Sequence, residues 1–164
     1  PILLEPFGRN TAPAITMAAL MAKKNNDDPH ILVLSSDHEI KDHKAFQKII
    51  NEGLVFSSMG RIVTFGIAPS SAETGYGYIE SFDFLSEENI SSDIKRFIEK
   101  PSLDNAKKYI KNKNFRWNSG IFLFKASTIL NEIKKFNYFF VCTFIDFITK
   151  ITGDTTVANI GYFF

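Results

Sequence analysis

Cysteine occurs once in this chain, at Cys142, so no internal disulfide can form and the usage fits a reducing compartment. Its apolar neighbours suit a small buried hydrophobe better than a nucleophile. A basic start followed by an apolar run is missing. The most apolar stretch, 136–151, is interrupted by Asn137, Thr143, Asp146 and Lys150, so neither export nor membrane insertion is expected, and a cytoplasmic protein is. An excess of one charge is also missing. Nineteen Lys and Arg stand scattered among eighteen Asp and Glu, for a formal net charge of +1. That gives no field to draw nucleic acid or an anionic membrane, and leaves a small molecule as the expected ligand. There is no internal repeat and no low-complexity linker.

What is present suits one domain over residues 1–164, long enough to bury a sizeable core. Short apolar runs alternate with helical patterns, which predicts an α/β fold with a largely parallel sheet. Strands are expected at 2–4, 31–34 (fully buried), 61–67, 76–80, 94–99 and 121–124. Helices are expected at 14–24, at 42–56 with Phe46, Ile49, Ile50 and Leu54 on one face, after a Ser102 cap, and at 126–136. Residues 86–92 read as a solvated loop. Phe136, Phe140, Phe144 and Ile151 recur at helical spacing, which predicts a core-facing helix over 136–164.

Three places carry residue types suited to chemistry. In EPFGRNTAPAI (5–15), an expected strand end meets a helix through a polar turn. Gly8 permits close backbone approach, Arg9 offers a planar fork of donors, Asn10 or Thr11 can cap the helix, and Pro13 suits its first turn. A helix start attracts anions, although an ordinary connection with a surface arginine has the same spacing. Asp37 follows an apolar strand and so reaches the carboxyl edge of the sheet, where it could hold magnesium or simply serve as a turn residue. His38 and Glu39 suit packing or turn support. Gly75 and Gly77 bracket Tyr76 at a strand entry, where glycine often marks close approach to a ligand. Glu99 and Lys100 stand at a strand end stopped by Pro101, with Lys100 expected on the opposite side of an extended strand from Glu99. Trp117 suits packing better than sugar stacking.

Five segments, EPFGRNTAPAI, LVLSSDHEI (32–40), TFGIAPSSAETGYGYIE (64–80), FIEKPS (97–102) and WNSGIFLF (117–124), resemble in order the signatures of the mannose-1-phosphate guanylyltransferases. The resemblance covers most of the chain to about residue 135. It implies a Rossmann-like, doubly wound, mostly parallel sheet of the sugar nucleotidyltransferase type, incomplete at its N-terminus. It also implies transfer of a nucleotidyl group from GTP to mannose 1-phosphate, giving GDP-mannose and pyrophosphate. Carried over residue by residue, it assigns Gly8, Arg9, Asn10 and Thr11 to the nucleotide. Gly77, Glu99 and Asn118 go to the hexose, Lys100 to the phosphates, and Asp37 to a catalytic Mg2+. A homo-oligomer, or fusion to a mannose-6-phosphate isomerase domain, is a further expectation. The family's glycine-rich phosphate loop and a later acidic motif have no counterpart in this sequence, so the isolated chain is expected to lack turnover and to fold poorly. A non-catalytic sugar-nucleotide-binding module, or an enzyme for another base or hexose, is the alternative.

Overall fold

The computed structural model describes residues 11–23, 28–86 and 88–136. The expectations for a strand at 2–4, for Gly8, Arg9 and Asn10, for Cys142 and for a helix beyond 136 fall outside them. Among these residues the order is α1 (Thr11–Ala22), β1 (His30–Val33), α2 (His43–Ser58), β2 (Val63–Ile67), β3 (Tyr78–Ser81), β4 (Ile94–Ile98), α3 (Leu103–Tyr109), β5 (Phe115–Lys125) and α4 (Ala126–Phe136). Two compact units emerge, one of residues 1–63 with 122–164 and one of 64–121.

The first unit packs α1 against α4. Alanine-rich α1 has a strong intrinsic preference for helix, and Pro13 falls in its first turn, where backbone N–H groups have no intrahelical acceptor to lose. Met17, Ala19 and Leu20 meet Ala126 and Leu130, with Ile31, Ile129 and Ile133 packed around them. Thr16 is wholly buried there, and its hydroxyl donates to the Ala12 carbonyl at 2.7 Å. Helix α2 begins where Asp42 accepts from the Ala45 amide at 2.9 Å. It ends in a Schellman motif: Gly60 N–H donates to Ser57 O, Arg61 N–H donates to Phe56 O, and Gly60 takes the required left-handed φ of 77°. The start of α4 is capped from far away in sequence. Asp28 accepts from the Ser127 amide at 2.8 Å and from its hydroxyl at 2.6 Å, while Ala126 N–H donates to Pro29 O. Burial pushes the Asp28 carboxyl up, but the two Ser127 bonds, with Lys23 and Lys125 nearby, outweigh it and hold it below its ordinary value.

Strand β1 pairs antiparallel with the last residues of β5, His30 opposite Lys125 through Val33 opposite Phe122. It is half-buried, where full burial was expected, and Leu34 beyond it is 49% exposed. An apolar run reports affinity for an interior but not how many neighbours will cover it. His30 also reaches α2, with Nδ1 2.8 Å from the Ser57 hydroxyl.

In the second unit β3 lies between β4 and β5, and β2 pairs with β5. The core joins Tyr78, Ala106 and Phe115, with Ala72, Ile98, Tyr109 and Trp117 against them. Tyr109 stacks on Phe115 at 4.3 Å, and Tyr78 donates its hydroxyl to the Glu73 carbonyl at 2.9 Å. Ser102 caps α3 as expected, accepting from the Asn105 amide. The α/β class holds, but the β1–β5, β3–β4 and β3–β5 ladders are all antiparallel, in place of the parallel pairing expected. Alternating strands and helices suggest parallel crossovers only when consecutive strands are neighbours. Here β1 bonds the distant β5, and β3 bonds β4 as a hairpin across a polar loop. The expected strand at 121–124 is the second half of an eleven-residue strand. Its first half carries Asn118, Ser119 and Gly120, which are atypical of a strand interior; in the fold Ser119 is buried and donates to the Phe65 carbonyl, and Gly120 has a φ of 70°.

Candidate functional site

Three of the residues singled out in the sequence meet at one end of the β3–β4 ribbon. Tyr78 lies opposite Ile98 on one side and Trp117 on the other. One step further along, the same antiparallel register sets Gly77 beside Glu99 and Asn118. A methyl group on Gly77 would stand 3.1 Å from Glu99 Oε2, 3.5 Å from Asn118 Cβ and 3.8 Å from the Ile98 carbonyl oxygen. Only glycine lets the three come so close with the carboxylate in place. The Asn118 amide donates to the Gly77 carbonyl at 2.8 Å, and Asn118 Oδ1 accepts from Gly120 N–H at 3.1 Å. That second bond orients the side-chain amide. Gly75 is different, since a methyl there would meet nothing within 4 Å.

Glu99 and Lys100 are both exposed. Strand β4 stops at Ile98, and Lys100 has a φ of 40°, the one positive value at a non-glycine among the described residues. The expected extended geometry at Lys100 is therefore corrected. A residue before proline ordinarily avoids this region, and holding it there costs on the order of 1–3 kcal/mol. Buried Pro101 and the Ser102 cap of α3 pin the chain just downstream. The result is a lysine held in an unusual direction beside the carboxylate, a type of strain that clusters at functional sites.

Sequence reasoning gave no role to two further residues, Tyr76 beside this cradle and Glu80 at the far end of the ribbon. Tyr76, 52% exposed, sets its ring edge-on to Trp117, with centroids 5.2 Å apart and planes at 81°. Trp117 is half-buried against the unit's core, in keeping with the packing role expected of it. At the other end of the ribbon Glu80 is buried and takes Lys95 Nζ at 3.0 Å and Arg96 Nε at 2.5 Å. Hydrogen bonds from Lys95 and then Arg96, working against burial, hold its carboxyl below the ordinary value. A carboxylate inside an apolar strand, with adjacent basic residues in IKRFI, was the available signal.

Comparison with known proteins identifies the family. A family model described as nucleotidyl transferase matches residues 1–160. The chain belongs to the nucleotidyl transferase family. A mannose-1-phosphate guanylyltransferase from Salmonella muenchen is 49% identical over 135 residues, covering 81% of this chain and 28% of that protein. A solved structure from Thermus thermophilus, described as a mannose-1-phosphate geranyltransferase, superposes with a TM-score of 0.71 at 34% identity, over 80% of this chain and 38% of that one. A mannose-6-phosphate isomerase from Helicobacter pylori superposes with a TM-score of 0.69 at 42% identity, over 80% and 48%. The chain spans 28% of the length of the Salmonella relative.

The other two candidate places belong to the first unit. Asp37 is exposed in a turn after β1, flanked by exposed His38 and Glu39. No group of three side chains among the described residues is arranged to hold a metal on its own. The donor set nevertheless suits magnesium, which keeps several waters and takes one or two carboxylates plus substrate phosphates. Thr11 is exposed and already inside α1, so it is not the cap of that helix. No helix among the described residues is long and apolar enough to cross a membrane.

Proposed function

We propose that this chain is part of a guanylyltransferase that joins GTP and mannose 1-phosphate, and that the Gly77, Glu99 and Asn118 cradle reads the hexose. The carrying observation is the meeting of a glycine, a free carboxylate and an oriented amide in one register of three strands. The names of the Salmonella and Thermus relatives support the choice of sugar phosphate.

In the reaction a phosphate oxygen of the sugar phosphate bonds to the α-phosphorus of GTP, and the bond from that phosphorus to the bridging oxygen breaks, releasing pyrophosphate. No covalent enzyme intermediate is needed, so the protein's task is positioning and charge stabilisation. Glu99 accepts hydrogen bonds from sugar hydroxyls, which are donors that a carboxylate reads well. The Asn118 amide supplies both a donor and an acceptor, and Gly77 lets the sugar approach backbone. Lys100, held by its strained backbone beside this cradle, presents a point charge to the phosphates. Gly8, Arg9, Asn10 and Thr11 serve the nucleotide. Asp37 would hold Mg2+, which when bound neutralises charge on the phosphates and aligns them.

A thermal-shift titration with GDP-mannose against UDP-glucose, with and without magnesium, tests the reading. A cooperative melt raised by GDP-mannose alone is the expected result, and indifference to both would sink it. Asp37→Asn is expected to remove the magnesium-dependent part of the shift; an unchanged magnesium dependence would take Asp37 out of the site.

A further inference from the structure

The two residues that precede the cradle in sequence, Tyr76 before Gly77 and Trp117 before Asn118, touch each other. Their rings meet edge to face at 5.2 Å, while the backbone one step on is joined by the 2.8 Å bond from Asn118 N–H to Gly77 O. Tyr76 belongs to a turn rich in small and polar residues, 68–77, and its ring is half in solvent. Upstream the segment is tied down by Ala72 on the core and by the Glu73 carbonyl, which accepts from Tyr78; next to Gly77 the ring contact of Tyr76 adds to these. Trp117 stands on a strand and packs into the core of Tyr78, Ala106 and Phe115, so its indole is the fixed partner. Its Nε1 is buried with no acceptor among the described residues, so the indole polar group serves no hydrogen bond that would explain its place. What the ring does offer is a rigid wall for the tyrosine edge.

We infer that Tyr76 and Trp117 form an aromatic clamp that positions the Gly77 and Asn118 backbone, and that the clamp sets affinity for the sugar half of the ligand. Neither is a catalytic residue; both act through their neighbours. The part concerning sugar rests on the function proposed above. The positioning part does not, because it rests on the ring contact and the hydrogen bond alone.

Two measurements on the purified chain separate these parts. The first follows amide hydrogen exchange at Asn118 in the absence of ligand. Tyr76→Ala is expected to lower protection of that amide roughly threefold to tenfold, the range an aromatic pair is worth, whereas Tyr76→Phe keeps the ring edge and is expected to retain it. Emission from Trp117, the sole tryptophan, should shift in the alanine variant and not in the phenylalanine variant. The melting temperature checks that Tyr76→Ala is folded. Unchanged protection in Tyr76→Ala, or equal loss in both variants, overturns the clamp.

The second compares GDP-mannose with GDP as ligands. Tyr76→Ala is expected to weaken GDP-mannose roughly threefold to tenfold while GDP affinity stays within about twofold, with rescue by Tyr76→Phe. Equal loss for both ligands would overturn the sugar-specific role. A wild-type chain that fails to distinguish the two ligands would overturn the hexose reading itself, while amide exchange still decides the clamp.

Discussion

The two ends of the β3–β4 ribbon hold the same chemical group in opposite ways. At one end Glu80 is buried, opposite Arg96 in the ladder, and bound by two cations. Beside it the Ser81 amide and hydroxyl both donate to the Asn114 carbonyl at 2.9 Å, and Asn114 Nδ2 returns bonds to the Ser81 and Phe82 carbonyls. At the other end Glu99 is exposed, its oxygen packed against a glycine rather than a cation, and the next residue carries backbone strain. One carboxylate has its charge consumed by the fold. The other is left available.

If that contrast is right, exchanging the roles should fail in opposite directions. Glu80→Gln has the largest expected effect on stability, a loss of about 2 kcal/mol, because two charge-assisted hydrogen bonds weaken in a partly desolvated position. Urea unfolding measures it, and a change no larger than that of Glu99→Gln would erase the distinction. Glu99→Gln is expected to stay within about 0.5 kcal/mol of the parent.

Gly77→Ala sharpens the comparison from the open end. The added methyl meets the mobile tip of Glu99 at 3.1 Å, so the carboxylate gives way at small cost in stability. Affinity for GDP-mannose should fall roughly tenfold, about 1.4 kcal/mol, with the melting temperature nearly unchanged. A large drop in melting temperature would mean that Gly77 serves the fold instead.

Lys100→Gly should gain up to about 1 kcal/mol, by relieving a left-handed conformation that glycine adopts freely, while removing the positive charge offered to phosphates. A more stable, weaker-binding variant is the expected outcome in a paired melt and titration.

The smallest effect is on pH. Because the Glu80 carboxyl lies below its ordinary value of 4.5, its contribution is fully present above that value. It is lost as pH falls through the lowered folded value, where the unfolded chain has already taken up its proton. Stability followed from pH 6 downward should therefore decline less steeply below about 4.5 in Glu80→Gln than in the parent. Asp28 acts in the same direction below its ordinary 3.8, so some acid sensitivity persists in the variant.

Much of this was legible from residues acting locally. Helix α4 begins and ends at the expected residues, 126 and 136, and Asp42 and Ser102 cap the helices they precede. Gly77, Glu99 and Asn118 were singled out by the motif resemblance, and the fold brings them together. The direction of the strands was not legible, nor was the first half of β5, whose polar and glycine residues are atypical of a strand interior. Nor was the role of Glu80, which depends on two cations arriving from the facing strand.

By itself the sequence determined the helices, the local caps of α2 and α3, the α/β class and the motif set that marks the nucleotidyl transferase family, because these depend on spacings of a few residues and on side chains acting on adjacent backbone. Tertiary structure alone decided which strands pair, in which register and direction, and so which of two glutamates is spent on the fold and which is left open. The reason is that a β-ladder joins residues far apart in the chain, and a carboxylate's charge is set by what the facing strand places beside it.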